Sequence, residues 1–245
     1  MPRRTKTQAL GQHFLADRRV LARILEASAV YSQEMVCEAG TGTGILTQEL
    51  CRHAKRVISY EVDRDLYAAA KASLASFSNL ELVNADPFPG DTQYSLSPFD
   101  VFVSNLPYSK SRDAFEWLAT LKFDRAIVMV QKEFADKLSA RPGDANYRAI
   151  SAIASYCFCI EQLFDVGKEC FQPPPLVEST VVRATMKHSV TREVVKNTNR
   201  LFSQRNRRAS TVAAKLGISA DFGDRRIDHL TPAEIMALAT SGMMD

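Results

Sequence analysis

The stretch Met35–Thr47 reads M-V-C-E-A-G-T-G-T-G-I-L-T. Met35–Ala39 suits a short strand, and Ile45–Arg52 reads as a helix. Between them Gly40, Gly42 and Gly44 let the backbone turn sharply and approach a ligand closely. Strand, glycine-rich turn and helix in this order open a βαβ unit. The alternation continues outward. Val57–Glu61 is a strand and Leu66–Ser76 a helix. Leu80–Val83 is a strand, followed by a loop through Pro87, Pro89 and Gly90. Asp100–Ser104 and Ala126–Val130 are strands, followed by helices at Asp113–Thr120 and Glu133–Ala140. Ile150–Ile160 passes from helix to strand, and the β-branched run Ser179–Met186 follows Pro173–Pro175. This rhythm predicts an α/β fold, with a mostly parallel sheet covered on both faces.

The flanks are helical. Asp17 is a good cap for a helix with Val20, Leu21, Ile24, Leu25 and Ser28 on one face. Beyond residue 187 the strand signal ends. Val190–Phe202 has helical periodicity, a second helix ends at Gly217, and Thr231, Pro232 and Glu234 begin a third with a capping box. The expected division is an α/β domain over residues 1–186, with a basic N-terminal arm, and a small all-helical domain over 187–245.

Composition fits a soluble globular chain: of 245 residues, 46% are apolar and 24% charged, which argues against a disordered or fibrous class. No apolar stretch approaches the ~20 residues that span a bilayer, and no apolar core follows the basic start M-P-R-R-T-K-T-Q. A cytoplasmic protein without membrane contact is expected. The five cysteines form no C-x-x-C pair and the four histidines no ligand spacing, so reduced thiols and no metal are expected. The net charge of +3 is unevenly spread: residues 1–25 carry +5 and residues 187–215 carry +7, leaving the rest acidic. Two basic blocks on an acidic body suit a polyanion, most simply nucleic acid; a solvated helix face with a basic tail is the plainer alternative.

Four motifs carry chemistry. Glu61 ends the strand after the glycine turn, where an acid in a doubly wound fold binds ribose hydroxyls. The turn lacks the dinucleotide spacing, because residue 45 is Ile, so it suits a nucleoside cofactor without pyrophosphate, such as S-adenosylmethionine, better than a nicotinamide. Asp86, in N-A-D, can accept from an adenine amino group or simply form a turn. Asn105-Leu106-Pro107-Tyr108 ends a strand with an amide, a stiffened turn and an aromatic, which suits a planar amine. The amide oxygen and a backbone carbonyl can accept both protons of an exocyclic amine, and Tyr108 can stack on the base. Phe171, in F-Q-P-P-P, faces Tyr108 across the base or is a core residue.

Together these motifs resemble the ribosomal RNA adenine dimethyltransferase family. The similarity runs in order through G-Q-H-F-L (Gly11–Leu15), E-A-G-T-G-T-G-I-L-T (Glu38–Thr47), Y-E-V-D (Tyr60–Asp63), N-A-D, N-L-P-Y, V-Q-K-E (Val130–Glu133), F-Q-P-P-P-L-V-E-S (Phe171–Ser179) and L-F-S-Q-R (Leu201–Arg205). The resemblance implies a Rossmann-like class I S-adenosylmethionine-dependent methyltransferase domain with seven strands, the last antiparallel. It implies dimethylation at N6 of two adjacent adenosines in a hairpin near the 3′ end of small-subunit rRNA, within a pre-ribosomal particle. A ribosome-assembly checkpoint with secondary or lost methylation is the alternative.

By motif, His13 and Leu15 close over the cofactor, Gly40 contacts its methionine end, Glu61 its ribose, Val62 and Asp86 its adenine, and Asn105 stands at the transfer point. Leu106, Pro107, Tyr108 and Phe171 complete the catalytic set. Arg3, Arg4, Lys6, Lys110, Arg205, Arg207 and Arg208 are the expected RNA contacts, on a monomer. Lys110, Lys137 and Arg148 depart from the family pattern; Lys110 is either a phosphate contact or a change in loop packing.

Overall fold

The computed structural model describes residues 13–88, 98–215, 217–218 and 222–241. Arg3, Arg4 and Lys6, the start of G-Q-H-F-L, and Pro89 and Gly90 lie outside the described residues.

The central sheet has seven strands in the order β4-β3-β2-β5-β6-β9-β7. They are β2 (Met35–Ala39), β3 (Arg56–Tyr60), β4 (Leu80–Val83), β5 (Val101–Asn105), β6 (Arg125–Gln131), β7 (Phe158–Val166) and β9 (Ser179–Met186). β2 pairs in parallel with both β3 and β5, and β9 runs antiparallel to β6, from Arg125 opposite Thr185 to Gln131 opposite Ser179. Central strands are apolar on both faces: Val36, Val57, Val101, Phe102, Val103, Val128 and Val130 are fully buried. That is the pattern of a parallel sheet covered on both sides.

Two short strands were not foreseen. β1 (Phe14–Leu15) pairs antiparallel with β8 (Phe171–Gln172), placing Leu15 opposite Phe171. Two-residue strands carry no periodicity, so only the tertiary contact reveals them. β7 also runs past its expected end at Ile160 to Val166. It is an edge strand with mixed exposure, which blurs the alternation that would mark it.

Helix α1 (Arg18–Ser28) starts where Asp17 accepts from the Arg19 and Val20 N–H groups, and it buries Val20, Leu21, Ile24 and Ser28. α2 (Ile45–His53) follows the glycine turn, α3 (Arg64–Ser73) follows β3, and α4 (Ser111–Leu118) and α5 (Lys132–Leu138) follow β5 and β6. α6 (Ala149–Cys157) precedes β7, and α7 (Arg192–Phe202), α8 (Ala209–Lys215) and α9 (Pro232–Ser241) follow β9.

The chain forms two compact units, each assembled from separate stretches of sequence. One unit holds residues 1–113, 123–132 and 161–185; the other holds 114–122, 133–160 and 186–245. The C-terminal helices therefore share a core with segments that sequence order assigns to the α/β domain. α6 is buried almost all round. The fully buried Tyr147, just before it, donates its hydroxyl to the Leu230 carbonyl at 3.1 Å and packs edge-on against Phe202. Asn197 of α7 donates to the Ala239 carbonyl of α9 at 3.0 Å.

In the first unit, Arg125 at the start of β6 ties down the end of α1. Its guanidinium bonds both Glu34 oxygens, at 2.8 and 2.9 Å, and the carbonyls of Ser28 and Ala29. The Arg125 hydrogen bonds hold the Glu34 carboxyl below the usual carboxylate range against the opposing effect of burial. Arg125→Met leaves the Glu34 carboxylate with only the Tyr31 N–H, at 2.8 Å, and removes a donor from two carbonyls; it should cost about 2 kcal/mol in chemical denaturation. A carboxyl with a lowered folded pKa stabilises above its unfolded pKa and loses that contribution as pH falls through the folded value. The variant's deficit should therefore shrink on acidification; a deficit constant from pH 7 to pH 3 would refute this account.

Candidate active site

The strand order reverses at β2 and β5, so their carboxyl ends splay apart into a crevice. A cavity of about 370 Å³ lies there. His13, Leu15, Gly40, Glu61, Val62, Asp86, Asn105, Leu106, Pro107 and Lys110 all line it. Residues drawn from four strand ends and from the N-terminal segment thus meet around one space.

The glycine turn forms its floor. Gly40 has φ +84°, and an added Cβ would sit 3.7 Å from the Asn105 carbonyl oxygen. Gly42, at φ +56°, would place a Cβ 3.3 Å from the Phe14 ring and donates its N–H to Glu61 Oε2 at 2.8 Å. Glu61 is only 3% exposed, and its Oε1 accepts from the Asp63 N–H at 2.9 Å. The backbone therefore aims this carboxylate. Asn84 supports the same strand end by donating to the Glu61 carbonyl at 2.7 Å.

Beneath the turn is a group whose importance the sequence reading missed. Glu38 is fully buried in the central strand. Its Oε2 accepts from the Thr47 and Ser59 hydroxyls, each at 2.6 Å. Its Oε1 has no partner among the described residues, and Glu38 lines the cavity. Burial pushes its carboxyl up to about 7; the two hydroxyls oppose that shift and the nearby Glu61 adds to it. An acid in the middle of an otherwise apolar strand was the available signal. An unpaired buried oxygen is costly unless a donor reaches it.

Asp86 and Lys110 face each other. Asp86 Oδ1 accepts from the Phe88 N–H at 2.9 Å, and Oδ2 accepts from Lys110 Nζ at 2.9 Å. Hydrogen bonding to Asp86 raises the Lys110 pKa. Lys110 is thus engaged with Asp86, in the loop after β4.

Asn105 ends β5 opposite Met129 in register. Ser104, just before it, donates to the Ala39 carbonyl at 2.5 Å and so joins the two strand ends. The Tyr108 hydroxyl shares a 2.6 Å hydrogen bond with Ser179, and its ring stacks on His13 with centroids 5.8 Å apart. His13 Nδ1–H donates to the Pro173 carbonyl at 2.8 Å.

The sequence leaves Phe171 either across the base from Tyr108 or in the core. It is 3% exposed and packs in the core cluster with Leu21, Ile24 and Val181. The β1–β8 pairing holds it there, and the ring that meets Tyr108 is His13.

Arg205, Arg207 and Arg208 lie in the turn between α7 and α8, in the second unit. Arg207 and Arg208 are exposed, and Arg208 pairs with Asp224 at 3.0 Å. The other two departures are engaged locally. Lys137 pairs with Glu133 one turn earlier on α5, and Arg148 donates to the Ala145 and Tyr147 carbonyls. Among the described residues no cluster of His, Cys, Asp or Glu is placed to hold a metal, and no helix is long and apolar enough to cross a membrane.

Comparison with known proteins places this geometry. A "Ribosomal RNA small subunit methyltransferase A" of Thermotoga petrophila is 38% identical over 173 residues. The match covers 71% of this chain and 65% of that relative, just under two thirds of its length. A "Probable ribosomal RNA small subunit methyltransferase A" of Pyrococcus abyssi is 32% identical, covering 92% of this chain and 88% of the relative. Among solved structures, a dimethyladenosine transferase from Plasmodium falciparum superposes with a TM-score of 0.76 at 25% identity, over 92% of this chain and 96% of that one. The 23S rRNA methyltransferase ErmE superposes with a TM-score of 0.64 at 25% identity, over 94% and 100%. The seven-stranded sheet with its one antiparallel strand is thus the class I methyltransferase fold. The model of the ribosomal RNA adenine dimethylase family matches residues 3–233, and the chain belongs to that family.

Proposed function

We propose that this chain uses S-adenosylmethionine to dimethylate N6 of two adjacent adenosines in a hairpin near the 3′ end of small-subunit rRNA. It acts as a cytoplasmic monomer on a pre-ribosomal particle. The observation that carries the reading is the convergence of Gly40, Glu61, Asp86 and Asn105 on one cavity at the sheet's carboxyl edge.

The residues fit the cofactor. The orphaned Glu38 Oε1 suits an ammonium group, and the open backbone at Gly40 admits a ligand where a side chain would stand. Glu61, oriented by Gly42 and Asp63, suits a ribose diol. Val62 and Asp86 suit the two faces of recognition that adenine needs, one apolar and one polar. When bound, the cofactor supplies an electrophilic methyl on a sulfonium.

The chain's own contribution is to position the acceptor. An adenine extruded from its stack brings N6 to Asn105. The N6 lone pair is delocalised into the ring, which makes it a poor nucleophile. The Asn105 side-chain oxygen and the Leu106 carbonyl each accept one N6–H and localise that lone pair. A neutral amide cannot take the proton, so the proton leaves to water after the new C–N bond forms. Catalysis is then mostly orientation. Pro107 stiffens the loop, and the Tyr108–Ser179 bond anchors the ring that the base would meet. Arg3, Arg4, Lys6, Arg205, Arg207 and Arg208 contact phosphates, so RNA affinity falls steeply with salt.

The test is transfer of labelled methyl to unmethylated small subunits, with large subunits and DNA in parallel. Dimethyladenosine in small-subunit RNA alone is expected. Cofactor binding with no label anywhere would favour the assembly-factor alternative. Asn105→Ala should cut methylation by about 10²-fold or more while leaving cofactor affinity within a fewfold; equal loss of both would remove Asn105 from the transfer point.

Glu38 generates a pH prediction. With its carboxyl raised to about 7 in the free protein, it is mostly protonated at pH 6. An ammonium on Oε1 favours the ionised form, so binding at pH 6 should release protons and weaken as pH falls. Calorimetry of S-adenosylmethionine in buffers of different ionisation enthalpy reads that release. It should vanish at pH 8 and in Glu38→Gln; equal release in wild type and variant would overturn this role.

A further inference from the structure

Strands β4 and β5 are separated in the sheet by β3 and β2, so their ends stand about three strand spacings apart, roughly 14 Å. Yet Lys110, in the loop after β5, places Nζ 2.9 Å from Asp86 Oδ2, in the loop after β4. Both side chains line the same cavity, so their ion pair links its two sides. Asp113 lies 3.6 Å from the same ammonium, one turn along from Lys110, and holds the lysine from its own side. The Lys110 N–H also bonds the Pro107 carbonyl at 2.8 Å, which makes the lysine part of the same tight turn as Asn105-Leu106-Pro107-Tyr108.

We propose that Lys110 is a positioning residue that locks the cofactor-side carboxylate of Asp86 to the acceptor loop, so that cofactor and acceptor RNA bind cooperatively. The inference rests on the function proposed above. Asp86 retains acceptor capacity beyond its two present bonds, because an ionised carboxylate offers about four lone-pair sites. A ligand amine at Asp86 can therefore join the pair without displacing Lys110. Ordering Asp86 from the cofactor side then orders Lys110 and, through it, the turn that receives the target base. By linkage the acceptor must tighten cofactor binding by the same factor. The pair is partly exposed, 41% at Lys110 and 36% at Asp86, which limits the coupling to about twofold to fivefold and makes it salt-sensitive.

The experiment measures the Kd of S-adenosylhomocysteine for the full chain, alone and with saturating unmethylated small subunits. Wild type should bind about twofold to fivefold tighter with the subunit present. Lys110→Met should bring that ratio to one, each Kd being compared with the same variant's own affinity for the cofactor alone. Lys110→Arg should restore part of it. In an Asp86→Asn background, Lys110→Met should have no further effect on the ratio. An unchanged ratio in Lys110→Met, or a ratio of one in wild type, overturns the proposal. So does subunit affinity that drops equally with and without cofactor, which would make Lys110 a plain phosphate contact. Wild-type protein that methylates normally while the ratio ignores Lys110 sinks this inference alone; wild-type protein that neither binds cofactor nor methylates sinks the function on which it rests.

Discussion

The parallel pairing of β2 with β3 on one side and β5 on the other is the constraint on which the site depends. Parallel neighbours send every carboxyl end to the same edge, and the reversal of strand order at β2 opens a crevice there. Gly40, Glu61, Asp86 and Asn105 come together because each ends or follows a strand in that set, although 65 positions of sequence separate the first from the last. The Ser104 hydroxyl on the Ala39 carbonyl pins β5 to β2 where the cavity begins.

The buried carboxylate of Glu38 sits at the centre of that arrangement. Placing an acid in an apolar strand is unfavourable, and two hydroxyls offset part of the cost on one oxygen only. Thr41 and Ser59 share a further 2.7 Å bond, so the same small network ties the glycine turn to β3. A fold built for stability alone would pair or remove the remaining oxygen. Retaining it in a residue that lines the cavity follows the usual exchange of stability for function at a site.

Much of this was legible beforehand because its causes are local. The glycine turn, the Asp17 cap, the Thr231–Glu234 capping box and the strands at β2 to β6 each follow from neighbouring residues. Helix α6, too, was visible as a break within Ile150–Ile160. The packing of Phe171 was not legible because its partner, Leu15, lies 156 residues away and pairs through only two residues of strand. The make-up of the two compact units was not legible for a related reason. Loss of strand signal marks where the sheet ends in sequence, but burial decides which helices share a core, and α6 buries its surface with the C-terminal helices.

The amino-acid sequence by itself determined the element types, the turn chemistry and the residue types at each strand end, since these arise from periodicity and from conformational preferences within a few residues. Only the tertiary structure decided which groups meet: Glu38 with Thr47 and Ser59, His13 with Tyr108, Lys110 with Asp86. Such pairings are set by strand order and register, which bring distant positions within a few ångströms and leave no trace in local pattern.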